Sequence, residues 1–349
     1  MTIIRRPALN AFGAVLLISS LGARADDRIH LDLDTSEADA VLAILDAKAS
    51  GRAPDERDWN RLFSSQPYIR LKKREASLKV GFTDDEFRTF VLSIDTAQQL
   101  PALRRTLEAW QKKDLVAAAQ RVLPYLPEEA RIRAKVYLLI KPERNSFVYD
   151  LKTDPTIFLY LDPEVTAQKF ENNVAHELHH IGFSSVRPRE EAAKSSPPVR
   201  TALDWMGAFG EGFAMLAAAG SPDVHPQAAS ATKERMRWDH DMENFNQDLK
   251  ALEKFFLDIL DQRLKASDEI EEKAMTFFGV QGPWYTVGYR MAVVIEKHDG
   301  RAELIACMSD PVRLLRSYNR AAADLNAKGN GPLVLWSPEL LARISRAGE

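Results

Sequence analysis

Asn172-Asn173-Val174-Ala175-His176-Glu177-Leu178-His179-His180 lies inside a segment, 167–181, that contains neither glycine nor proline. Nothing there interrupts a helix. Four residues of helix turn the chain by about 400° and advance it about 6 Å, so His176 and His180 project about 40° apart from one face. Two imidazoles so placed can grip one ion. Glu177, displaced by one residue, can reach a water on that ion without binding it. His179 also stands three residues from His176, but using it as a ligand would deprive Glu177 of that position, so His179 is assigned a supporting or packing role.

Upstream of this helix, 136–140, 146–149 and 157–161 are short β-favouring runs separated by prolines and polar turns. They predict one small sheet, with 157–161 as the edge along which an extended peptide can lie by strand addition. Before them, from Asp26 to about Leu126, the pattern reads as helical. Val41, Leu42, Ile44 and Leu45 form one apolar stripe, Trp59, Leu62 and Phe63 a second, and Phe87, Phe90, Val91 and Ile94 a third. Thr83 and Glu86 make a capping box ahead of the third stripe, and a further helix is expected from Ala102 toward Leu115. After Pro163 the text is helical almost to the end, with loops near 184–198, 220–232 and 325–337. Helices, a small sheet and more helices predict an α+β fold, mostly α-helical, with a small mixed sheet packed beside the 172–180 helix.

The 349 residues are 45% hydrophobic and 28% charged, which excludes a disordered or collagen-like chain. Arg5 and Arg6, the short apolar stretch 11–21 and Ala23-Arg24-Ala25 predict a signal peptide over residues 1–25, and hence an exported chain, periplasmic or extracellular, beginning near Asp26. No later segment is apolar enough for a membrane span. Residues 1–25 hold three arginines and no acid, so the remainder carries 44 basic against 50 acidic residues, and nucleic acid is not an expected partner. Arg70, Lys72, Lys73 and Arg74 read as the solvated side of a helix. The single cysteine, Cys307, reads as buried and inert. Two packed regions are expected, a helical one over 26–126 and a catalytic one over 127–349, forming one unit.

A catalytic zinc needs a third protein ligand and an open position. The metzincin pattern would need glycine at 183 and histidine at 186, where Phe183 and Val186 stand. The next helical stretch, 201–219, holds Glu211 among Leu203, Met206, Phe209, Phe213 and Leu216. A lone carboxylate in such surroundings is costly unless a cation neutralises it, which favours Glu211 over Glu190 and Glu191 in the charged loop before it. Gly210 and Gly212 would leave room for close approach to the His176 helix. Tyr285, after Gly282 and Pro283, is the leading donor to an oxyanion; the alternative is that Trp284, Tyr285, Tyr289 and Met291 are core. His225, His240 and His298 are expected to be surface or hydrogen-bonded residues.

His176-Glu177-x-x-His180, followed by Gly210-Glu211-Gly212-Phe213-Ala214, resembles the gluzincin type of zinc metallopeptidase. The text from about Trp59 to Asn319, including 283–289, is similar to uncharacterised bacterial families of zinc-dependent peptidases. The resemblance implies a zincin-like fold, Zn2+ held by His176, His180 and Glu211, Glu177 as general base, and a peptide or protein substrate. Thermolysin-like enzymes carry an acid four residues after the ligand glutamate, whereas Met215 stands here. A zinc-binding interaction protein without turnover and a zinc amidase acting on a cell-wall amide are the alternatives to a peptidase.

Overall fold

The computed structural model describes residues 27–186, 195–329 and 331–345. The expected signal peptide and the alternative ligands Glu190 and Glu191 lie outside them. The chain is mostly helical around one four-stranded sheet, as the α+β reading requires. No helix among the described residues is long and apolar enough to cross a membrane.

The sheet begins earlier than expected. Strand β1 (Ile29–Asp34) pairs in parallel with β2 (Ile132–Leu139), although it belongs to the stretch read as helical. Ile29, Leu31 and Leu33 alternate with His30 and Asp32, and this period of two sends one apolar set inward. β4 (Thr156–Tyr160) pairs in parallel with the other side of β2, and the short β3 (Phe147–Tyr149) pairs antiparallel with β4. The order β1-β2-β4-β3 makes β4 an interior strand and β3 the edge, so the expectation that 157–161 forms the edge is wrong. The run Thr156-Ile157-Phe158-Leu159 is buried without alternation, as a strand covered on both faces requires.

Six helices separate β1 from β2: α1 (Ser36–Ala49), α2 (Glu56–Phe63), α3 (Gln66–Ser77), α4 (Asp84–Ser93), α5 (Leu100–Gln111) and α6 (Leu115–Val122). The three apolar stripes lie on α1, α2 and α4, and Thr83 and Glu86 cap α4 reciprocally. The basic residues of α3 are not a purely solvated face. Arg70 donates to the Asp154 carboxylate and to Thr156 Oγ1, each at 2.6 Å, while the Arg74 guanidinium lies 3.8 Å from the centre of the Phe147 ring. α3 therefore clasps the hairpin that carries the edge strand, which no local sequence pattern announces.

The rest is helical: α7 (Ala167–Ser184), α8 (Pro197–Met206), α9 (Gly210–Ala219), α10 (Thr232–Glu243), α11 (Phe245–Leu260), α12 (Ser267–Thr276), α13 (Pro283–Asp299), α14 (Arg301–Cys307), α15 (Pro311–Ala327) and α16 (Pro338–Ser345). One hydrophobic cluster joins buried side chains from Ala38 to Ile344.

Candidate metal centre

α7 carries the HExxH residues and is fixed from several sides. Thr166 caps its first turn by accepting from Lys169 N–H, Phe170 stacks on Trp110 of α5 at 4.3 Å, and Glu171 is paired with Lys113 and Arg121. α9 presents Glu211 in its first turn, where the exposed N–H groups of a helix favour a negative charge.

α9 does pack on the His176 helix, but the glycine expected to permit this serves a different contact. A Cβ at Gly212 would lie 1.9 Å from Tyr289 N and 2.2 Å from Gly288 C, so α9 and α13 meet backbone to backbone through these two glycines. A Cβ at Gly210 would meet nothing within 4 Å. The glycine contact is with α13, not with the His176 helix. It sets Glu211 beside the start of α13, which carries Tyr285.

His176, His180 and Glu211 converge, and one ligand atom from each lies within 4.8 Å of the others. His176 Nε2 is 3.0 Å from Glu211 Oε2, His180 Nε2 is 3.4 Å from the same oxygen, and the two Nε2 atoms are 3.1 Å apart. Zinc bonds of about 2.0–2.2 Å arranged tetrahedrally hold neighbouring ligand atoms about 3.3–3.6 Å apart, a few tenths of an ångström beyond most of the separations here. The triangle thus fits zinc in donor type and, within that difference, in spacing. Burial works against the ionised form of Glu211, but the His180 charge and hydrogen bonds with both histidines outweigh it and hold its carboxyl far below the usual carboxylate range. Burial likewise opposes a charged His180, yet Glu211 and Glu177 raise it to about 9.

Glu177 stands on the wall of a cleft of about 310 Å³ shared with His180 and Glu211. Val148 of β3 and Leu151, just beyond it, also line the cleft. Tyr285 is partly buried, its ring 6.2 Å from that of His176 and tilted by 22° to it. Burial, and then the Glu211 and Glu177 carboxylates, push its phenol well above the ordinary value, so it is held as an O–H. Its neighbours do form core: Trp284 is fully buried against Phe209 and donates to the Ala274 carbonyl, while Met291 and Tyr289 are buried too. The core reading therefore applies to those three, while Tyr285 is only partly buried and packs against the same core.

His179 is 1% exposed, outside the ligand triangle, and kept neutral by burial and by the two adjacent histidines. His225 pairs with Asp239, His240 with Glu243, and His298 lies between Asp299 and Asp324. Cys307 is buried and free, its thiol pushed up to about 12 by burial, although it also lines the cleft. The cleft walls contributed by Met206, Met308 and Leu314 escaped sequence reasoning, because only the packing of α8, α14 and α15 brings them to the site.

No curated protein and no solved structure matches the chain. A family model does match, over residues 59–327, a span that contains the metal triangle, Glu177 and Tyr285. The chain belongs to the family described as "Putative zinc dependent peptidase (DUF5700)".

Proposed function

We propose that this chain is an exported zinc-dependent peptidase of the gluzincin pattern, with His176, His180 and Glu211 as zinc ligands and Glu177 as general base. The observation that carries the reading is the convergence of two imidazole nitrogens and a carboxylate oxygen, from α7 and α9, at the wall of a cleft that also holds Glu177. Zinc, when bound, supplies a Lewis acid that polarises a carbonyl and acidifies water. Glu177 accepts the proton of the attacking water at a carboxylate oxygen and passes it to the leaving amine nitrogen. Tyr285 donates its phenolic O–H to the oxyanion developing on the substrate carbonyl. β3 pairs only on its β4 side among the described residues, so an extended peptide can add to its free edge and pass Val148 toward Glu177.

Metal content and cleavage of an unstructured peptide library, measured for the native chain and for Glu177→Gln, test this reading. The variant should retain zinc while cleavage falls by about 10²- to 10⁴-fold. Retained zinc with undiminished cleavage would remove Glu177 from the reaction. Zinc in both proteins with cleavage in neither would favour a binding protein or an amidase. Export is tested by the mass of the chain recovered outside the cytoplasm, which should begin near Asp26.

A further inference from the structure

The lining of the cleft beside Glu177 has two chemically distinct parts. Its carboxylates, Glu177 and Glu211, and the imidazoles of His179 and His180 form one part of the lining, and no lysine or arginine lines it among the described residues. Apart from Ser184 and Cys307, the remaining side chains are mostly apolar and come from elements far apart in sequence, among them Phe183 of α7, Met206 of α8, Phe213 of α9, Met308 just after α14, and Leu314 of α15. Met206, Phe213 and Leu314 are each at most 3% exposed, so this wall is packed in place before any ligand arrives. Val148 of the edge strand and Leu151 belong to the same lining, and Leu151 is 40% exposed. An apolar recess next to a general base gains most by removing an apolar group from water, and it penalises a charge that finds no partner there.

We infer that this recess is the specificity pocket of the enzyme and takes one bulky uncharged side chain, of the leucine, methionine or phenylalanine class, from the residue beside the scissile bond. The inference rests on the peptidase reading above and adds its substrate class. A peptide laid along β3 sends alternate side chains to one face, so a single residue enters the recess while its neighbours point away. About 310 Å³ is ample for a leucine or phenylalanine side chain. Replacing that side chain with a methyl group should lower kcat/KM by about ten-fold or more.

Mass-spectrometric profiling of a peptide library tests the pocket first on the native chain, which requires no variant to fold. Cleaved bonds should be enriched in leucine, methionine or phenylalanine on one side and depleted there in aspartate, glutamate, lysine and arginine. A flat profile from an active enzyme overturns the pocket. Met308→Trp, at a half-buried position, should shift the preference to smaller residues, and Met308→Lys should admit acidic ones. Zinc-loaded, active variants with the native profile would also overturn it. A second measurement separates this inference from the peptidase reading. N-acetyl hydroxamates of glycine, leucine and phenylalanine are titrated against the zinc-loaded native chain. The latter two should bind about ten-fold or more tightly than the first. Such a gradient without cleavage of any peptide would leave the pocket standing and remove the peptidase, whereas equal affinities would remove the pocket.

Discussion

Glu211 and Glu37 both sit in the first turn of a helix and both lose most of their water, yet they end in opposite protonation states. Glu37, on α1, is fully buried; one oxygen accepts from Ile140 N–H and the other has no hydrogen-bond partner among the described residues. Burial dominates there, the Ile140 bond and nearby Lys141 oppose it without prevailing, and the carboxyl is raised to about 8. Glu211 meets the same cost of burial but faces two imidazoles, and it stays ionised. Burial of a carboxylate does not by itself make a metal site. Imidazoles converging on it from another helix make it a candidate, because they offer metal-ligating nitrogens and favour its charged form.

The severest way to break this contrast is Gly212→Ala. The added Cβ would overlap Tyr289 N and Gly288 C, so α9 must leave α13 and carry Glu211 with it. Destabilisation of about 5 kcal/mol is expected in urea titrations. A variant with native stability would show that the glycine contact does not position the site. Next comes the same isosteric change at both carboxylates. Glu211→Gln should weaken zinc binding by about a thousand-fold in competition with a chelator, whereas Glu37→Gln should leave it within about two-fold. Equal losses would erase the distinction drawn here.

A subtler test uses pH. The folded-state pKa of Glu37, about 8, exceeds its ordinary 4.5, so the folded chain binds more protons across that window. The stability it contributes is complete below pH 4.5 and is lost as pH rises toward 8, with a slope of up to about 1.4 kcal/mol per pH unit. Lys141 is lowered by burial to about 8 and acts with the opposite sign between that value and 10.5. Asp248, raised to about 6 by burial, and the buried His179 and His180 also contribute below pH 8. These groups are common to the native chain and Glu37→Gln, so the difference between the two isolates Glu37. Unfolding titrations of the native chain and Glu37→Gln should diverge over this range; parallel profiles would place Glu37 in the ordinary carboxylate range. The smallest effect belongs to a third carboxylate, Asp154, whose side chain is 45% exposed where Arg70 and Lys135 bind it. Solvent shares the load there, and Arg70→Ala should cost about 1 kcal/mol. A loss as large as that of Gly212→Ala would mean that the clasp on the edge strand is structurally dominant.

What was legible in the sequence was local. The α7 segment, its pair of histidines and the Thr83–Glu86 cap depend on spacings of three and four residues, which helix geometry converts directly into positions. Glu211 was legible for an energetic reason, as a carboxylate stranded among apolar residues. β1 carried its signal too, in the alternation of Ile29, Leu31 and Leu33, but six residues of alternation were outweighed by the helical stripes that follow. Strand 157–161 was read as the edge because a run of buried residues identifies a strand and says nothing about which neighbour covers it.

By itself, then, the sequence determined the α7 face that offers two imidazoles and a glutamate, and marked Glu211 as a carboxylate in need of a positively charged partner. Only the tertiary structure decided that β3 is the free edge, that Gly212 meets Gly288 rather than the His176 helix, that Arg70 and Arg74 clasp the hairpin, and that Met206, Met308 and Leu314 wall the cleft. The physical reason is range: covalent geometry fixes neighbours a few residues apart, whereas contacts between distant segments follow from how whole apolar faces are buried together.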